Sequence, residues 1–329
     1  VFASAFMAAI IGSSTASCAT MSSAAFPSMR DSGYDRRISV GIIAIAGTLA
    51  IMIPPSIVLI IYGILTQQSV GKLLIAGLVP GLLTAAGYIL TIWVLSKRRP
   101  DLVPKPTAFD MRDAMKSLRP VWPAMLLMVV TIGGLYSGLA TPTEIGAVGS
   151  LAALAIVLMM RRIDKRRFTS AMTETLGTTV MIITIIIGAM MFGYFLTLTQ
   201  ATQSLIAMIN DANLSPWAVL LTLVVIYLVL GMLMDQMAIL VLTVPVTFAL
   251  ITQLGFDGIW YGIVITKTVE IGLVTPPLGL NVFITSGITR VPVAECFRGV
   301  APFVLVDLLI LGLLLAFPEI SLFLPGLMK

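Results

Sequence analysis

Apolar runs long enough to cross a bilayer, which takes about 20 residues, recur along almost the whole chain. They occupy 38–66, 71–96, 120–139, 142–160, 171–198, 215–254, 257–288 and 298–317, and the run at 215–254 is long enough for two arms. Hydrocarbon offers the backbone no hydrogen-bond partner, so segments of this kind must satisfy themselves internally, as helices do. Composition agrees. The chain is 58% hydrophobic and 11% charged, against about 25% charged in a soluble domain, and its mean hydropathy is +1.06. The reading is an all-α polytopic membrane protein.

Several chemistries are excluded at once. With no histidine in 329 residues, there is no histidine base, no histidine-ligated zinc and no Ser-His-Asp triad. Cys18 and Cys296 sit in apolar surroundings without partner spacing, so neither a disulfide framework nor a metal site is indicated. Gly71-Lys72 is followed by Leu73, and no phosphate-cradling loop is present. The chain opens at Val1 in mid-run, with no charged segment before the apolar residues. It therefore reads as the interior of a longer protein rather than as a signal peptide.

Charge sets the topology. Basic residues cluster at Arg30, Arg36 and Arg37; from Lys97 to Arg119; from Arg161 to Arg167; and at Arg290 with Arg298. These groups hold 17 of the 20 Lys and Arg. The connections near 66–70, 139–142, 199–215 and 255–257 hold none. Basic loops stay cytoplasmic, so the four clusters share one side and the spans pair up between them. The parity works only if 215–254 enters and leaves on the outer side, as a re-entrant hairpin with its tip near Gly231–Ala238. The run 1–29 reads as a second hairpin, open to the cytoplasm, with its tip at Gly12–Ser17. Seven of the eleven residues from Ser13 to Ser23 carry hydroxyls.

Two double prolines then interrupt apolar runs. Pro276-Pro277 follows Pro54-Pro55 by 222 residues, and at the same offset Gly77 matches Gly299 and Pro80 matches Pro302. Glycine and proline dictate backbone shape, which gives these few identities weight. The run at 38–66 points outward and that at 257–288 inward. Two copies of one unit in opposite orientations form an inverted repeat, the signature of many secondary transporters. The division expected is 1–96 as the C-terminal part of the first repeat (hairpin 1–29, broken helix 38–66, helix 71–96), 97–119 as a cytoplasmic linker carrying one short amphipathic helix, and 120–329 as the second repeat (hairpin 215–254, broken helix 257–288).

Each double proline splits a helix in two. The first half should end in free carbonyls, Ala50 to Met52 in one copy and Gly272 to Val274 in the other, which suits a cation. The second half should begin with proline at its first position, where a missing N–H costs nothing, and its positive end can face an anion. Irregular backbone at membrane depth survives where it is buried in protein or lines a cavity; a plain proline kink is the alternative at either site. Lys267 and Glu270 share a helix face, either as an ion pair orienting the half-helix or as functional groups. Asp235, at the outer hairpin tip, is a functional candidate, with capping as the alternative. Thr141-Pro142-Thr143-Glu144 should cap a helix. Gly77-x-x-x-Gly81 and Gly134-x-x-x-Gly138 suit helix packing.

The segments GSSTAS, PSMRDSGYDRRIS, IPPSIVLIIYG, ATPTEIGAVG and EIGLVTPPLGLNVFI together resemble the large membrane subunit of the tripartite ATP-independent periplasmic (TRAP) transporters, along essentially the whole chain. The resemblance implies an elevator-type carrier of the ion-transporter superfamily in the bacterial inner membrane. It implies as partners a small membrane subunit and a periplasmic binding protein that delivers an organic acid, such as a C4-dicarboxylate or sialic acid. No cofactor is expected; sodium is the coupling ion, in symport. It implies that ions sit between each hairpin tip and the adjacent broken helix. The candidate sodium ligands are then Gly12, Ser13, Ser14, Thr48 and Ile53 in the first copy, and Met234, Asp235, Gly272 and Thr275 in the second. Substrate would lie between the tips, at Ser14, Thr15, Pro55, Gln236, Pro277 and Asn281. One departure stands out: many family members carry an acidic residue shortly after the first Gly-Ser-Ser, where this chain has Ser17. The first site then relies on hydroxyls and carbonyls.

An autonomous carrier of the same superfamily, needing no binding protein, is the alternative. An intramembrane hydrolase would need a base near Ser13 or Ser14, and none lies nearby in sequence. No catalytic residue is therefore assigned and the chain is not read as an enzyme. A channel fits poorly with two hairpins plugging the midplane. The counterparts of 120–139, 142–160 and 171–198 would precede Val1, so three or more spans, roughly one hundred residues with their connections, are expected upstream.

Overall fold

The computed structural model describes residues 4, 7, 11–102, 104, 122–136, 141–161, 163–200, 203–204, 207–208, 211 and 214–328. Among them every regular element is helical. The chain divides into two compact units, Val1–Thr107 with Thr202–Lys329, and Ala108–Ala201. The first arm expected of hairpin 1–29, most of the linker at 97–119 and much of the connection at 199–215 fall outside the described residues.

The larger unit begins with α1 (Ser14–Asp31), whose N-cap Ser13 accepts from the Ala16 N–H. Next come α2 (Arg36–Gly47), one further turn α3 (Leu49–Met52), then α4 (Ile57–Thr66) and α5 (Val70–Arg98). Asp35 caps α2 by accepting from Arg37 and Ile38. The smaller unit holds α6 (Trp122–Tyr136), α7 (Pro142–Met159) and α8 (Lys165–Leu198). The chain then returns to the larger unit with α9 (Pro216–Leu233), α10 (Gln236–Gln253), α11 (Gly258–Gly272), α12 (Leu280–Thr289), α13 (Val293–Ala316) and α14 (Glu319–Gly326). Helix α14 has no counterpart among the runs read from the sequence, because it is too short to register as a span.

By length and composition, six helical stretches among the described residues can cross a membrane: Arg36–Thr66, Val70–Arg98, Lys165–Leu198, Pro216–Leu233, Gln236–Gln253 and Val293–Ala316. The chain is a multi-pass membrane protein. Within lipid there is little hydrophobic drive to bring helices together, so close approach through small residues does the work. In the larger unit, Gly41 of α2 and Gly299 of α13 meet backbone to backbone; a β-carbon at Gly299 would overlap the Arg37 carbonyl. Gly77 and Gly81 of α5 press on the Met52 carbonyl and on Ile53. Gly47 meets the Cys18 sulfur, and Gly231 of α9 lies on Gly272 of α11. The packing role expected of Gly77-x-x-x-Gly81 is what the contacts give.

In the smaller unit, α6 and α7 pack on one another, with Gly134 against Ile145 and Gly149 against Thr131. Thr141 and Glu144 form a capping box at the start of α7, with Pro142 inside the first turn, as the sequence suggested. Helix α8 is 34 residues long, about 50 Å, and exposes Leu176, Val180, Ile187, Met190 and Leu198. That surface suits lipid.

The double prolines correct one detail of the sequence reading. They do not occupy the first position of the second half-helices. Pro54-Pro55 precedes Ser56, which caps α4 by accepting from the Leu59 N–H. Pro276-Pro277 is followed by Leu278 and by Gly279 in the left-handed conformation (φ 58°), which starts α12. Both Pro-Pro bonds are cis. Prolines inside the break leave the first turn free for a side-chain cap in one copy and a left-handed glycine in the other.

Candidate functional site

Proline cannot donate, so the carbonyls four residues before each proline lose their helical partners. Around the first break these are Ala50 and Ile51, both buried. Around the second they are Gly272 and Leu273, and here the structure departs from the expected row of free carbonyls. The Thr275 N–H reaches back to the Gly272 oxygen at 3.0 Å, and the Asn281 N–H bonds the Leu273 oxygen at 3.1 Å. Of the three carbonyls from Gly272 to Val274, that of Val274 accepts no described backbone hydrogen bond. The two breaks also differ in exposure: Pro54 is buried and Pro55 half-buried, whereas Pro276 and Pro277 are exposed.

The hydroxyl-rich segment, which forms the N-cap and first turns of α1, does reach the first break at its N-terminal end. Gly12 adopts φ 65°, and its carbonyl accepts from the Ile57 N–H at 3.4 Å. A β-carbon on Gly12 would lie 2.9 Å from the Pro55 oxygen, so both conformation and space select glycine. Ser13 and Thr15 hydroxyls lie 3.2 Å apart at the same tip. Ser14 is fully buried and accepts a 2.6 Å hydrogen bond from the Asn281 side-chain amide of α12. This bond joins the tip beside the first break to the helix that follows the second break, across 267 residues of sequence. The Asn281 Oδ1 and the Ser17 hydroxyl, both buried, have no hydrogen-bond partner among the described residues.

At the other tip, α9 ends at Leu233 and α10 starts at Gln236. The Met234 N–H returns to the Leu230 carbonyl at 2.9 Å. Asp235 caps α10, with its carboxylate accepting from the Met237 N–H at 3.0 Å; the capping alternative is therefore what its geometry displays. Gln236 is buried, and its side-chain Oε1 has no partner among the described residues. The tip meets the second broken helix through Gly231 and Gly272, and no described bond joins Asp235 to Thr275. The Thr275 hydroxyl donates instead to Ile271 O at 2.6 Å. The Ile53 N–H bonds Leu49 O at 2.9 Å.

The densest polar cluster lies deeper. Thr48 at the α2–α3 junction lies 2.6 Å from Glu270 Oε1, and its hydroxyl also contacts Ile45 O at 2.7 Å. Lys267 is 3.3 Å from Glu270 and 2.6 Å from Asp307 of α13, and it donates to Thr84 of α5 at 3.2 Å. The Tyr88 hydroxyl sits between the Asp307 oxygens at 2.9 and 2.8 Å. Thr48, Thr84, Tyr88, Lys267, Glu270 and Asp307 are all 0% exposed. The ion pair expected between Lys267 and Glu270 is present, but it is one edge of a larger network. Sequence reasoning missed Asp307, although an acidic residue alone in the apolar run 298–317 was the signal. Tyr88 and Thr84 gave none, because hydroxyls are common in spans.

The network can carry load. A charge inside a membrane is tolerated when it is paired and hydrogen-bonded, and here an ammonium lies between two carboxylates on different helices. The cluster ties α2, α5, α11 and α13 together directly behind both breaks.

Comparisons with known proteins give the family. Residues 1–320 match the family model described as the tripartite ATP-independent periplasmic transporter, DctM component. The chain is 38% identical to the C4-dicarboxylate TRAP transporter large permease protein DctM of Pseudomonas aeruginosa, covering 99% of this chain and 76% of that protein. It is 32% identical to the protein of the same description in Rhodobacter capsulatus, covering 100% and 78%. It is 30% identical to the sialic acid TRAP transporter large permease protein SiaM of Vibrio cholerae, covering 99% and 76%. The chain thus belongs to the DctM family, the large permease component of TRAP transporters.

Proposed function

We propose that this permease imports an organic acid, a C4-dicarboxylate, sialic acid or similar carboxylate, across the inner membrane. A periplasmic binding protein and a small membrane subunit deliver it, sodium ions drive it, and access alternates by an elevator-type movement. The observation that carries this reading is the Ser14–Asn281 bond. It brings a hydroxyl-rich tip at one double-proline break against the helix that leaves the other break, so both breaks serve one buried polar locus.

Three features support the finer parts. The halves after the breaks, α4 and α12, are each 10 residues long and end in left-handed residues, Gln67 and Arg290. Each is followed by a long helix with an internal proline, Pro80 or Pro302; this matched succession supports the reading of a repeat. Helices α9 and α10, interrupted only at Met234–Asp235, suit the two arms of a re-entrant hairpin. The N-terminal ends of α4 and α12 carry the positive end of the helix dipole and suit a carboxylate, the group carried by C4-dicarboxylates and sialic acid, for which two of the relatives are named. Carbonyls at the breaks and hydroxyls of Ser13, Ser14 and Thr48 suit sodium, a hard cation that takes oxygen ligands; lone pairs on Thr48 remain available even while its hydrogen is engaged. Asp235 and Thr275 are the corresponding ligands proposed for the second ion.

The test is uptake into proteoliposomes holding the permease and its partners, under a sodium gradient or a proton gradient alone. Uptake should require sodium and both partners, and Ser14→Ala and Asp235→Ala should each raise the sodium concentration for half-maximal uptake. Full uptake without sodium would sink the coupling. Robust uptake without a binding protein would favour the autonomous carrier.

A further inference from the structure

Thr48 and Glu270 are 222 residues apart, the same spacing that separates Pro54-Pro55 from Pro276-Pro277. Each therefore occupies the same register in its own broken helix, before the break. Yet they touch each other. The 2.6 Å contact between Thr48 Oγ1 and Glu270 Oε1 is a direct side-chain link between the two half-helices whose carbonyl ends form the two breaks. Both residues are fully buried, so water does not compete for the bond.

The link is also anchored. Glu270 is paired on its own helix with Lys267 at 3.3 Å, and Lys267 with Asp307 at 2.6 Å. Asp307 is held by Tyr88 and Lys267 by Thr84. The Glu270 carboxylate is thus steered toward Thr48 by groups on α5, α11 and α13. A shift of the α2–α3 end moves Thr48, and through it the last turn of α11. Hydrogen-bond and ion-pair networks of this kind carry energetic coupling between sites.

We propose that Glu270 is the positioning residue that couples the two cation sites. Occupation of one break, by fixing the end of its half-helix, favours the arrangement of the other through the Thr48–Glu270 bond. This rests on the sodium reading given above. Binding free energies are reciprocal, so the coupling appears as cooperativity in the sodium dependence of uptake.

The experiment measures uptake against sodium concentration, with substrate saturating, in the complete transporter. Glu270→Leu removes the acceptor and leaves Lys267 paired one-to-one with Asp307; Thr48→Val removes the hydroxyl from the other side. Glu270→Gln and Thr48→Ser retain the bond. The wild-type Hill coefficient should exceed unity, fall to unity in Glu270→Leu and Thr48→Val, and recover in the two conservative variants. A purely structural role would lower the amount of active carrier without changing the slope. Should Glu270→Leu fail to assemble, Glu270→Ala against Glu270→Gln decides, because Glu270 is not among the proposed sodium ligands. A wild-type slope of unity, or a slope unchanged in both disruptive variants, overturns the coupling. Sodium-independent uptake by the wild type would instead refute the underlying transport reading, and the wild-type curve alone distinguishes the two failures.

Discussion

Lys267→Met probes the buried network most directly. The substitution retains much of the side-chain volume and deletes the charge. It leaves Glu270 and Asp307, both 0% exposed, without the ammonium that lies 3.3 Å from one and 2.6 Å from the other. Thr84 also loses the bond it accepts from Lys267, keeping its own bond to the Pro80 carbonyl. Removing one member of a buried ion pair costs about 3–5 kcal/mol, because the surviving charge stays buried without compensation. With unfolding entropy of roughly 2 cal/mol/K per residue over 329 residues, that corresponds to a melting midpoint lower by about 4–7 °C. The assay is thermal unfolding of the detergent-solubilised permease, followed by tryptophan fluorescence or by soluble fraction after heating. Lys267→Met combined with Asp307→Leu should recover part of the loss, because one of the two unpaired carboxylates goes while Glu270 remains and Tyr88 loses its acceptor. A single variant within about 1 kcal/mol of wild type, or a double variant as unstable as the sum of the singles, would refute the reasoning: the pairs would then be independent of one another, or worth no more than exposed ones.

Other expectations follow from individual contacts. Gly299→Leu should abolish accumulation in the membrane, since its β-carbon collides with the Arg37 carbonyl, whereas Gly287→Leu, with nothing within 4 Å, should accumulate normally; immunoblots of membrane fractions compare them. Asn281→Leu removes the 2.6 Å bond to Ser14 and leaves that hydroxyl buried, at about 1–3 kcal/mol; it should lower uptake at subsaturating substrate more than it lowers the melting midpoint. Thr141→Ala removes the capping box of α7 and should cost about 0.5–2 kcal/mol, read as faster amide exchange in the first turn of that helix with little change elsewhere.

The sequence alone determined the helical class, because apolar runs of span length leave the backbone few other solutions in lipid. It also marked the double prolines as breaks, since proline's missing donor and rigid ring act locally wherever they occur. The cap at Thr141 and the packing glycines Gly77 and Gly81 were legible for the same reason: each rule involves only neighbours in sequence or one helix face. What lay beyond it were relations between distant residues. Nothing in the string says that Ser14 meets Asn281, or that Thr48 meets Glu270 rather than leaving it to Lys267 alone. Asp307 carried the general mark of a buried charge, but its partner is set by how α13 crosses α2 at the Gly41–Gly299 contact and brings Asp307 to Lys267. The prolines' exact station was also a tertiary matter. Ser56 could cap α4, and Gly279 could turn left-handed, so the second halves began beyond the prolines rather than on them. Thr275 and Asn281 likewise took carbonyls that a local rule leaves free. Local chemistry follows from adjacent residues; the pairing of polar groups inside a membrane follows from which helices approach, and that is decided only when all of them are packed.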